Sequence, residues 1–555
     1  MKRFMILCVA LLLVAALLGG CAMLPLLKSA LEENKAMEGE IQESTDDDVL
    51  YEDYEAAMPM YEAAESAGLY APMDSYLVPD DYNTEEYAQL TENGFEDVTA
   101  NPLSTFSADV DTASYCNLRR MLNADYSLDR IPSGSVRIEE MLNYFRYDYT
   151  APEGTDRFGV TAQIGDCPWN PANKLLLVGV RAADAPEASD EGSNLVFLVD
   201  VSGSMDEEDK LALAQKALTM LADNLTEKDT VSIVTYSNGE DIIIEGANPV
   251  KDRAKLISAI DSLYANGYTD GQRGLEQAYE VAMRYYRPHG NNRVIMCSDG
   301  DLNVGITSES DLHDFVSEKK ETGVYLSVLG FGDGNYKDTK METLADDGNG
   351  NYYYIDSMLE ARKVLVEEMT QTLYSVADDV KFQIEFNPAK VASYRQIGYE
   401  NRSLADSDFE DDAKDAGEVG AGATVTVLYE LVPAGQEAGE TGLKYQTSAL
   451  TEAAAGDEWL TLSVRYKEHG GETSVLEETV VGEANVTDTP SGDFLFASAV
   501  AEFGMILRES EYLGNADFAS VLSLLKDSGL TDEYREEFFS LVKIAERQWK
   551  LSDAR

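Results

Sequence analysis

The chain has 555 residues and a formal net charge of −59, with 102 acidic residues against 43 lysines and arginines. This length allows roughly three to four domains of about 150 residues each. The large net negative charge excludes a nucleic-acid partner, because contact with phosphates requires a basic surface.

The N-terminal residues 1–20 have the composition of a targeting segment. Lys2 and Arg3 precede an apolar run that ends at Leu18, and small residues and Cys21 follow. The run is short for a membrane span, which needs about 20 apolar residues. The letters LGGC that end at Cys21 resemble a bacterial lipobox, which implies cleavage before Cys21 and attachment of diacylglycerol to its sulfur. An ordinary signal peptide and a short membrane anchor are the alternatives. We expect a lipid-anchored protein on the extracytoplasmic side of the cell membrane.

Residues 21–98 are predicted to form a lipidated acidic linker. Between Leu31 and Asp97 the chain is rich in Asp, Glu, Ser, Met and Tyr and has few aliphatic runs. Such a segment buries too little apolar surface to offset the entropy lost on ordering. We therefore expect a disordered tether between the membrane and the folded domains.

Cys116, Cys167 and Cys297 follow this linker. They form neither a C-x-x-C pair nor a cluster with histidine, so a zinc site is not expected. Cys297 ends the apolar stretch VIMC and is predicted to be a buried thiol. Cys116 and Cys167 either form a disulfide or remain reduced, and the sequence leaves both alternatives open.

Residues 99–190 are predicted to form an N-terminal α+β region. Its apolar residues first have helical spacing, as in VRIEEMLNYF at Val136–Phe145, and later form strands such as KLLLVGVRA at Lys174–Ala182. Asp109 and Asp111 in SADVDTAS suggest a further metal loop. Turn and capping roles are the preferred interpretation, because no third ligand of comparable character is present.

Residues 191–376 alternate apolar strands with amphipathic helices, which predicts an α/β fold with a doubly wound parallel sheet. Oxygen-bearing side chains lie in loops that follow or join these elements: Asp200, Ser202 and Ser204 in D-x-S-x-S, Thr269 in NGYTDGQRGL, and Asp299 in RVIMCSDGD. Ligands of such sheets bind at the carboxyl ends of the strands, so these side chains are expected at one edge. Carboxylate and hydroxyl oxygens are the ligands that Mg²⁺ prefers.

This pattern resembles the metal-ion-dependent adhesion site of von Willebrand factor type A (VWA) domains. The resemblance implies that the five side chains surround one Mg²⁺, or Mn²⁺ or Ca²⁺, with Asp299 acting through a water molecule. Glu207 and Glu208 follow at the spacing of a second cation site in integrin-like VWA domains. An acidic helix start that complements the helix dipole is the preferred interpretation of these two residues.

The remainder of the chain is predicted to add two parts. Residues 377–490 alternate apolar and polar positions, as in VKFQIEFNP, and predict an antiparallel β-rich domain with an acidic loop. Residues 491–555 predict a helical C-terminal segment. Together with the N-terminal region, these parts resemble the sequences that flank the VWA domain in a family of bacterial lipoproteins. The resemblance covers nearly the whole chain after the linker.

The predicted function is metal-dependent protein binding at the cell surface. A site with one direct carboxylate and three hydroxyls leaves a coordination position that an Asp or Glu of an unidentified partner protein completes. The alternatives are a metal-dependent, phosphatase-like hydrolase and a scaffold protein with a vestigial metal site. The loop DVSGS lacks the second carboxylate that aspartate-nucleophile phosphatases use, and none of the 3 histidines adjoins a ligand position. We therefore predict no enzymatic activity.

Overall fold

The computed structural model describes residues 87, 89–108, 111–124, 126–184, 192–237, 239–267, 271–300, 309–332, 338–368, 374–412, 414, 416–435, 450–468, 471 and 473–553. Cys21, Asp109 and Thr269 lie outside these residues, as does the predicted signal peptide. Among the helices in these ranges, none is both long enough and apolar enough to cross a membrane.

Before the predicted VWA segment, the described residues form four strands and two α-helices. In chain order they are β1 (Glu96–Asp97), β2 (Leu103–Ser107), α1 (Ala113–Asn123), α2 (Ile138–Asn143), β3 (Phe158–Asp166) and β4 (Lys174–Ala182). The first strand lies inside the predicted linker. Its residues Glu96 and Asp97 pair with a strand near residue 393. Ordered structure therefore begins before residue 99.

The central segment contains six strands and six helices within its described residues. They are β5 (Ser193–Asp200), α3 (Leu211–Asn224), β6 (Thr230–Tyr236), β7 (Glu240–Ala247), α4 (Arg253–Asp261), α5 (Gly271–Arg284), β8 (Asn291–Ser298), α6 (Glu309–Lys320), β9 (Tyr325–Phe331), α7 (Asp338–Asp347), β10 (Tyr352–Ile355) and α8 (Met358–Arg362). A π-helical turn at Lys363–Glu367 extends α8.

The described C-terminal part contains six further strands and three α-helices. They are β11 (Ser375–Phe386), β12 (Val391–Ile397), β13 (Gly417–Gly420), β14 (Thr424–Pro433), β15 (Glu458–Glu468), β16 (Ser474–Gly482), α9 (Gly492–Leu507), α10 (Phe518–Ser528) and α11 (Glu533–Asp553).

The central sheet has the strand order β10-β9-β8-β5-β6-β7. All neighbours are parallel except β7, which runs antiparallel to β6 at the sheet edge. This is the predicted α/β fold of VWA type. All residues of β5 are buried, which explains why its sequence is a continuous apolar run. β5 lies between β6 and β8, and the order in which the chain adds strands reverses at this point. The loops that follow β5 and β8 therefore lie at the same edge of the sheet.

The flanking regions share two antiparallel sheets. One has the order β1-β12-β14-β4-β3, and the other has the order β13-β11-β15-β16 with β2 paired to β11. Their buried faces form one common core. The residues 99–190 and 377–490, which the sequence analysis treats as two regions, therefore complete each other's sheets.

The helices α1 and α2 pack with the C-terminal helices and with the central sheet. α2 contacts α9, and α1 contacts α11 and β10. One continuous core joins these helices to the face of the central sheet that α5 covers. α3, α4 and α8 cover the opposite face, where Leu195, Phe197 and Val199 of β5 are buried.

Two helices begin later than the sequence predicts, for local reasons. The backbone N–H of Arg137 donates to Ser114 Oγ at 2.8 Å, and α2 starts only at Ile138. The amphipathic pattern from Asp209 to Leu225 predicts a helix, but α3 starts at Leu211, because Lys210 has φ −111° and ψ −107°, outside the helical range.

Candidate metal centre

Asp200 and Ser202 are positioned by the end of β5. The Asp200 carboxylate accepts a hydrogen bond from the Ser202 backbone N–H at 2.8 Å, which holds the loop directly after the strand. A 3₁₀ turn at Gly203–Met205 follows. This turn brings Ser204 Oγ to 3.0 Å from Ser202 Oγ. Three oxygen-bearing side chains of the D-x-S-x-S pattern therefore lie on one short loop.

Asp299 reaches the same edge because it follows β8, the neighbour of β5. The two strands pair in register through Val199 and Cys297. Ser298 Oγ lies 3.3 Å from the second oxygen of the Asp200 carboxylate and donates to it. Ser298 could not be predicted from the sequence, since a serine at a strand end has no distinctive signal.

The loop that leads to Thr269 is hydrogen-bonded to the D-x-S-x-S loop. Asn266 N–H donates to Val201 O at 2.7 Å, and Gly203 N–H donates to Gly267 O at 3.0 Å. Thr269 lies two positions further along, outside the described residues. Its participation in the site stays a prediction.

Two carboxylates of this edge are buried. Asp200 is 0% exposed and Asp299 is 2% exposed. Burial, with the nearby Asp299 charge as the second cause, raises the pKa of Asp200 to about 7. A buried carboxylate is costly unless a cation or hydrogen bonds compensate it. The pair therefore has the electrostatic character of a site that a cation would stabilise.

The hydroxyl spacing also fits a small divalent cation. Neighbouring ligands of an octahedral Mg²⁺ are about 2.9 Å apart, because each metal–oxygen distance is about 2.0–2.1 Å. The Ser202 and Ser204 hydroxyl oxygens are separated by 3.0 Å. Both the charge and the spacing of the donor set are thus suited to Mg²⁺ or Mn²⁺.

Lys210 is a member of this site that the sequence analysis missed. Its side chain is buried, and Nζ lies 2.9 Å from Ser204 O and 3.5 Å from the Asp299 carboxylate. The stem passes Gly332, where a Cβ would come within 2.3 Å of Lys210 Cε. Gly332 has φ +78°, so both the backbone and the lysine stem favour glycine there. Lys210 gives Asp299 a cationic neighbour.

Glu207 and Glu208 precede α3 and do not form its first turn. Both side chains are exposed, and Glu207 accepts from Lys210 Nζ at 3.4 Å. The preferred interpretation, an acidic first turn of α3, is therefore wrong, and the second cation site stays an untested alternative.

Asp111, the other acidic candidate, has a structural role. Its carboxylate accepts from the Tyr352 backbone N–H and from Arg402, both at 3.1 Å. These contacts are long-range, so they give Asp111 a structural role but do not support the predicted local turn and capping role.

A buried cluster of Cys116, Asp356 and Glu360 has acidic and thiol groups at metal-ligand spacing. Arg119 occupies this cluster, with Nη2 2.5 Å from Asp356 and 2.9 Å from Glu360. The positive charge of Arg119 therefore already compensates the carboxylates. Cys116, Cys167 and Cys297 are buried and unbridged, so the structure has no Cys116–Cys167 disulfide.

Comparison with known proteins places these features in a family. Family models match residues 81–177 (von Willebrand factor), residues 194–368 (von Willebrand factor type A domain) and residues 371–548 (uncharacterized protein YfbK, C-terminal). The uncharacterized protein YfbK of Escherichia coli strain K12 is 40% identical over 473 residues, which cover 83% of this chain and 81% of YfbK. The chain belongs to the YfbK-like family of VWA domain proteins. VWA domains commonly mediate metal-dependent protein interactions and often bind a divalent metal.

More distant relatives match smaller parts. Inter-alpha-trypsin inhibitor heavy chain H3 of Mesocricetus auratus is 26% identical over 172 residues, which cover 30% of this chain and 19% of the inhibitor chain. The solved structure of a von Willebrand factor type A protein from Catenulispora acidiphila has a TM-score of 0.41 and 15% identity, and covers 72% of this chain and 91% of its own. Proximal thread matrix protein 1 from the mussel byssus, solved with a zinc-occupied MIDAS motif, has a TM-score of 0.28 and 20% identity, and covers 34% of this chain and 46% of its own. The names of these relatives indicate no catalytic activity.

Proposed function

We propose that the protein is a lipid-anchored, extracytoplasmic binding module that engages a carboxylate of a partner protein through a divalent cation. The observation that carries this proposal is the pair of buried carboxylates, Asp200 and Asp299, beside two hydroxyls at the carboxyl edge of β5 and β8. Such a set of hard oxygen donors suits Mg²⁺, Mn²⁺ or Ca²⁺.

The residues of the site have distinct parts in this proposal. Asp200, Ser202 and Ser204 would hold the cation directly, Thr269 would add a hydroxyl, and Asp299 would act through a water molecule. The bound cation supplies a hard Lewis-acidic centre with a position for an external carboxylate. Lys210 places a positive charge beside Asp299 and limits the net negative charge of the edge. The strongly acidic chain repels acidic surfaces, so the partner carboxylate should lie in neutral or basic surroundings.

The proposal is tested by partner capture from cells with full-length protein and chemical cross-linking. Proteins cross-linked to wild type should be lost in EDTA, regained with Mg²⁺ or Mn²⁺, and absent from Asp200→Ala. Asp261→Ala is a matched control, because Asp261 is exposed at the end of α4. A partner whose capture ignores both EDTA and Asp200→Ala would contradict the proposal. So would turnover of a phosphoester panel that depends on Asp200, which is the outcome expected of a hydrolase.

The membrane anchor is proposed from the LGGC sequence that ends at Cys21. Each buried acyl CH₂ contributes about 0.8 kcal/mol, so two chains give stable attachment where one is marginal. Cys21→Ser should yield an uncleaved or released protein in membrane fractionation, and radiolabelled fatty acid should be incorporated only into wild type. Identical processing and fractionation of the variant would contradict lipidation.

A further inference from the structure

A cleft of about 310 Å³ opens beside the candidate metal centre, between β7 and the segment that follows α4. Its lining includes Val201, Ser237, Ile243, Leu263, Tyr264 and Asn266. Ligand pockets in proteins usually measure about 300–1,000 Å³. The cleft is at the small end of that range, which suits one or two side chains better than a large cofactor.

The cleft is continuous with the metal-binding loop. Val201 stands between Asp200 and Ser202 in the chain and contributes to the cleft wall. Its backbone is fixed on both sides, since its N–H donates to Tyr236 O at 3.1 Å and its O accepts from Asn266 N at 2.7 Å. A peptide that offers a carboxylate to the cation would therefore lie next to this cleft.

The cleft presents apolar surface that the fold does not cover. Tyr264 is 71% exposed, more than any other described large apolar or aromatic side chain, and Ile243 is 38% exposed. Leu263, beside Tyr264 in the chain, is buried. Contiguous exposed apolar surface that is rimmed by polar residues is typical of interaction sites.

The rim of the cleft is negatively charged. Glu240 and Asp241 are adjacent, exposed members of the lining. They belong to β7, the edge strand of the central sheet. A neighbouring lysine or arginine of a partner would offset the repulsion between these carboxylates.

We infer that this cleft is a second subsite for the same partner, and that it binds an apolar side chain flanked by a basic one. The occupant is an extended segment that combines three groups: an acidic residue for the cation, an apolar residue for Ile243 and Tyr264, and a lysine or arginine for Glu240 and Asp241. This inference rests on the proposed function, because the cation fixes the acidic residue of the segment.

The inference is tested with random linear peptides displayed on phage and selected on full-length protein in Mg²⁺. The peptides on phage that EDTA elutes should share an acidic residue next to an apolar and a basic residue. A synthetic consensus peptide is then titrated calorimetrically against wild type and variants. Burial of one apolar side chain contributes enough that Tyr264→Ser should weaken peptide binding about tenfold. Glu240→Lys should weaken it by a similar factor at low ionic strength.

Matched controls are available on the same domain. Tyr286 is also exposed but lies beside Gly323, near the start of β9 and thus at the opposite edge of the sheet. Glu321 is exposed after α6 and outside the cleft. Tyr286→Ser and Glu321→Lys should bind the peptide like wild type. All variants should bind Mg²⁺ alone with unchanged affinity, which separates a subsite defect from loss of the metal centre.

The outcomes distinguish this inference from the proposed function. Mg²⁺-dependent peptides that share only an acidic residue, or that bind Tyr264→Ser and Glu240→Lys normally, would overturn the subsite and leave metal-dependent binding intact. Selection that yields no EDTA-sensitive peptides, or peptides that bind Asp200→Ala equally well, would overturn the proposed function and the subsite with it.

Discussion

At the scale of single residues, the Asp200 carboxylate is completely buried, and its hydrogen-bond donors among the described residues are neutral groups. Its Oδ1 accepts from Ser202 N–H, and its Oδ2 accepts from Ser298 Oγ. Two neutral donors compensate a buried charge only in part. A cation bound at this loop would compensate the remaining charge.

We predict that Asp200→Asn stabilises the metal-free protein at pH 8. The pKa of Asp200 is raised from 3.8 to about 7, so the folded state retains a proton that the unfolded state has lost. Stability of the metal-free wild type should therefore fall as the pH rises from about 4 to about 7, by up to about 4 kcal/mol. The amide has no such pH dependence. Its oxygen can accept from Ser202 N–H, and its NH₂ group would donate to Ser298 Oγ in place of the bond that the carboxylate accepts. Thermal unfolding with EDTA at several pH values measures the effect.

Mg²⁺ provides the complementary measurement for Asp200→Asn. A concentration 100 times the Kd should stabilise wild type by about 2.7 kcal/mol and leave the variant unchanged. Asp261→Asn, an exposed carboxylate in the same domain, should behave like wild type in both conditions. Equal Mg²⁺ stabilisation of Asp200→Asn and wild type would locate the cation elsewhere.

Lys210 should weaken cation binding, because its ammonium group competes for the Asp299 carboxylate. Lys210→Met removes a positive charge and keeps an unbranched stem beside Gly332. We expect Mg²⁺ to bind this variant about tenfold more tightly. Without the ammonium group the metal ion is repelled less, and the site carboxylates repel each other more until a cation binds between them. Isothermal titration calorimetry measures the affinity. Lys216→Met, an exposed position of α3, is the control. Weaker binding by Lys210→Met would show that the lysine organises the site rather than opposing the cation.

At the scale of secondary-structure elements, Arg119 joins segments that are far apart in the chain. It lies on α1 and contacts Asp356 after β10, Glu360 on α8 and, at 2.9 Å, Glu537 on α11. Burial is the largest cause that raises the pKa of Glu360, and Arg119 opposes that rise. One guanidinium group therefore connects the end of the VWA segment to both flanking helices.

We predict that Arg119→Met lowers the free energy of unfolding by about 3–5 kcal/mol, because it leaves buried carboxylates without their cation. Arg253→Met is the matched control, since it breaks an exposed pair with Asp223. That change should cost less than about 1 kcal/mol. Denaturant unfolding followed by circular dichroism compares the two variants. Equal losses would show that the buried network adds no more than a surface pair.

At the scale of the whole molecule, the VWA segment is covered by its flanking regions. The same core that contains Val328 and Tyr352 of the central sheet also contains Leu118 of α1 and Phe538 of α11. We predict that residues 191–376 expressed alone bind the dye ANS and self-associate, because this apolar face becomes exposed. A fragment of residues 87–553 should be monomeric and melt cooperatively. Sedimentation and dye fluorescence of the two fragments test this, and a monomeric, cooperatively folded 191–376 would contradict it.

Local sequence determined the central α/β elements and much of the candidate site. The continuous apolar run of β5 and the D-x-S-x-S pattern depend on residues that are neighbours in the chain. Asp299 was predictable for the same reason, because it directly follows a buried strand. Strand periodicity and turn chemistry are short-range properties, so one sequence is sufficient to identify them.

Only the tertiary structure decided which segments, far apart in the chain, contact each other. Lys210 and Asp299 are 89 positions apart, and Arg119 and Glu360 are 241 positions apart. β4 pairs with β14 across a similar separation, although each strand alone has an ordinary alternating or apolar pattern. Such contacts depend on the packing of whole faces and on the burial of charge, which residue types at nearby positions do not encode. For that reason the metal-ligand motif was predictable, whereas the lysine beside it, the shared sheets and the cleft next to the site were not.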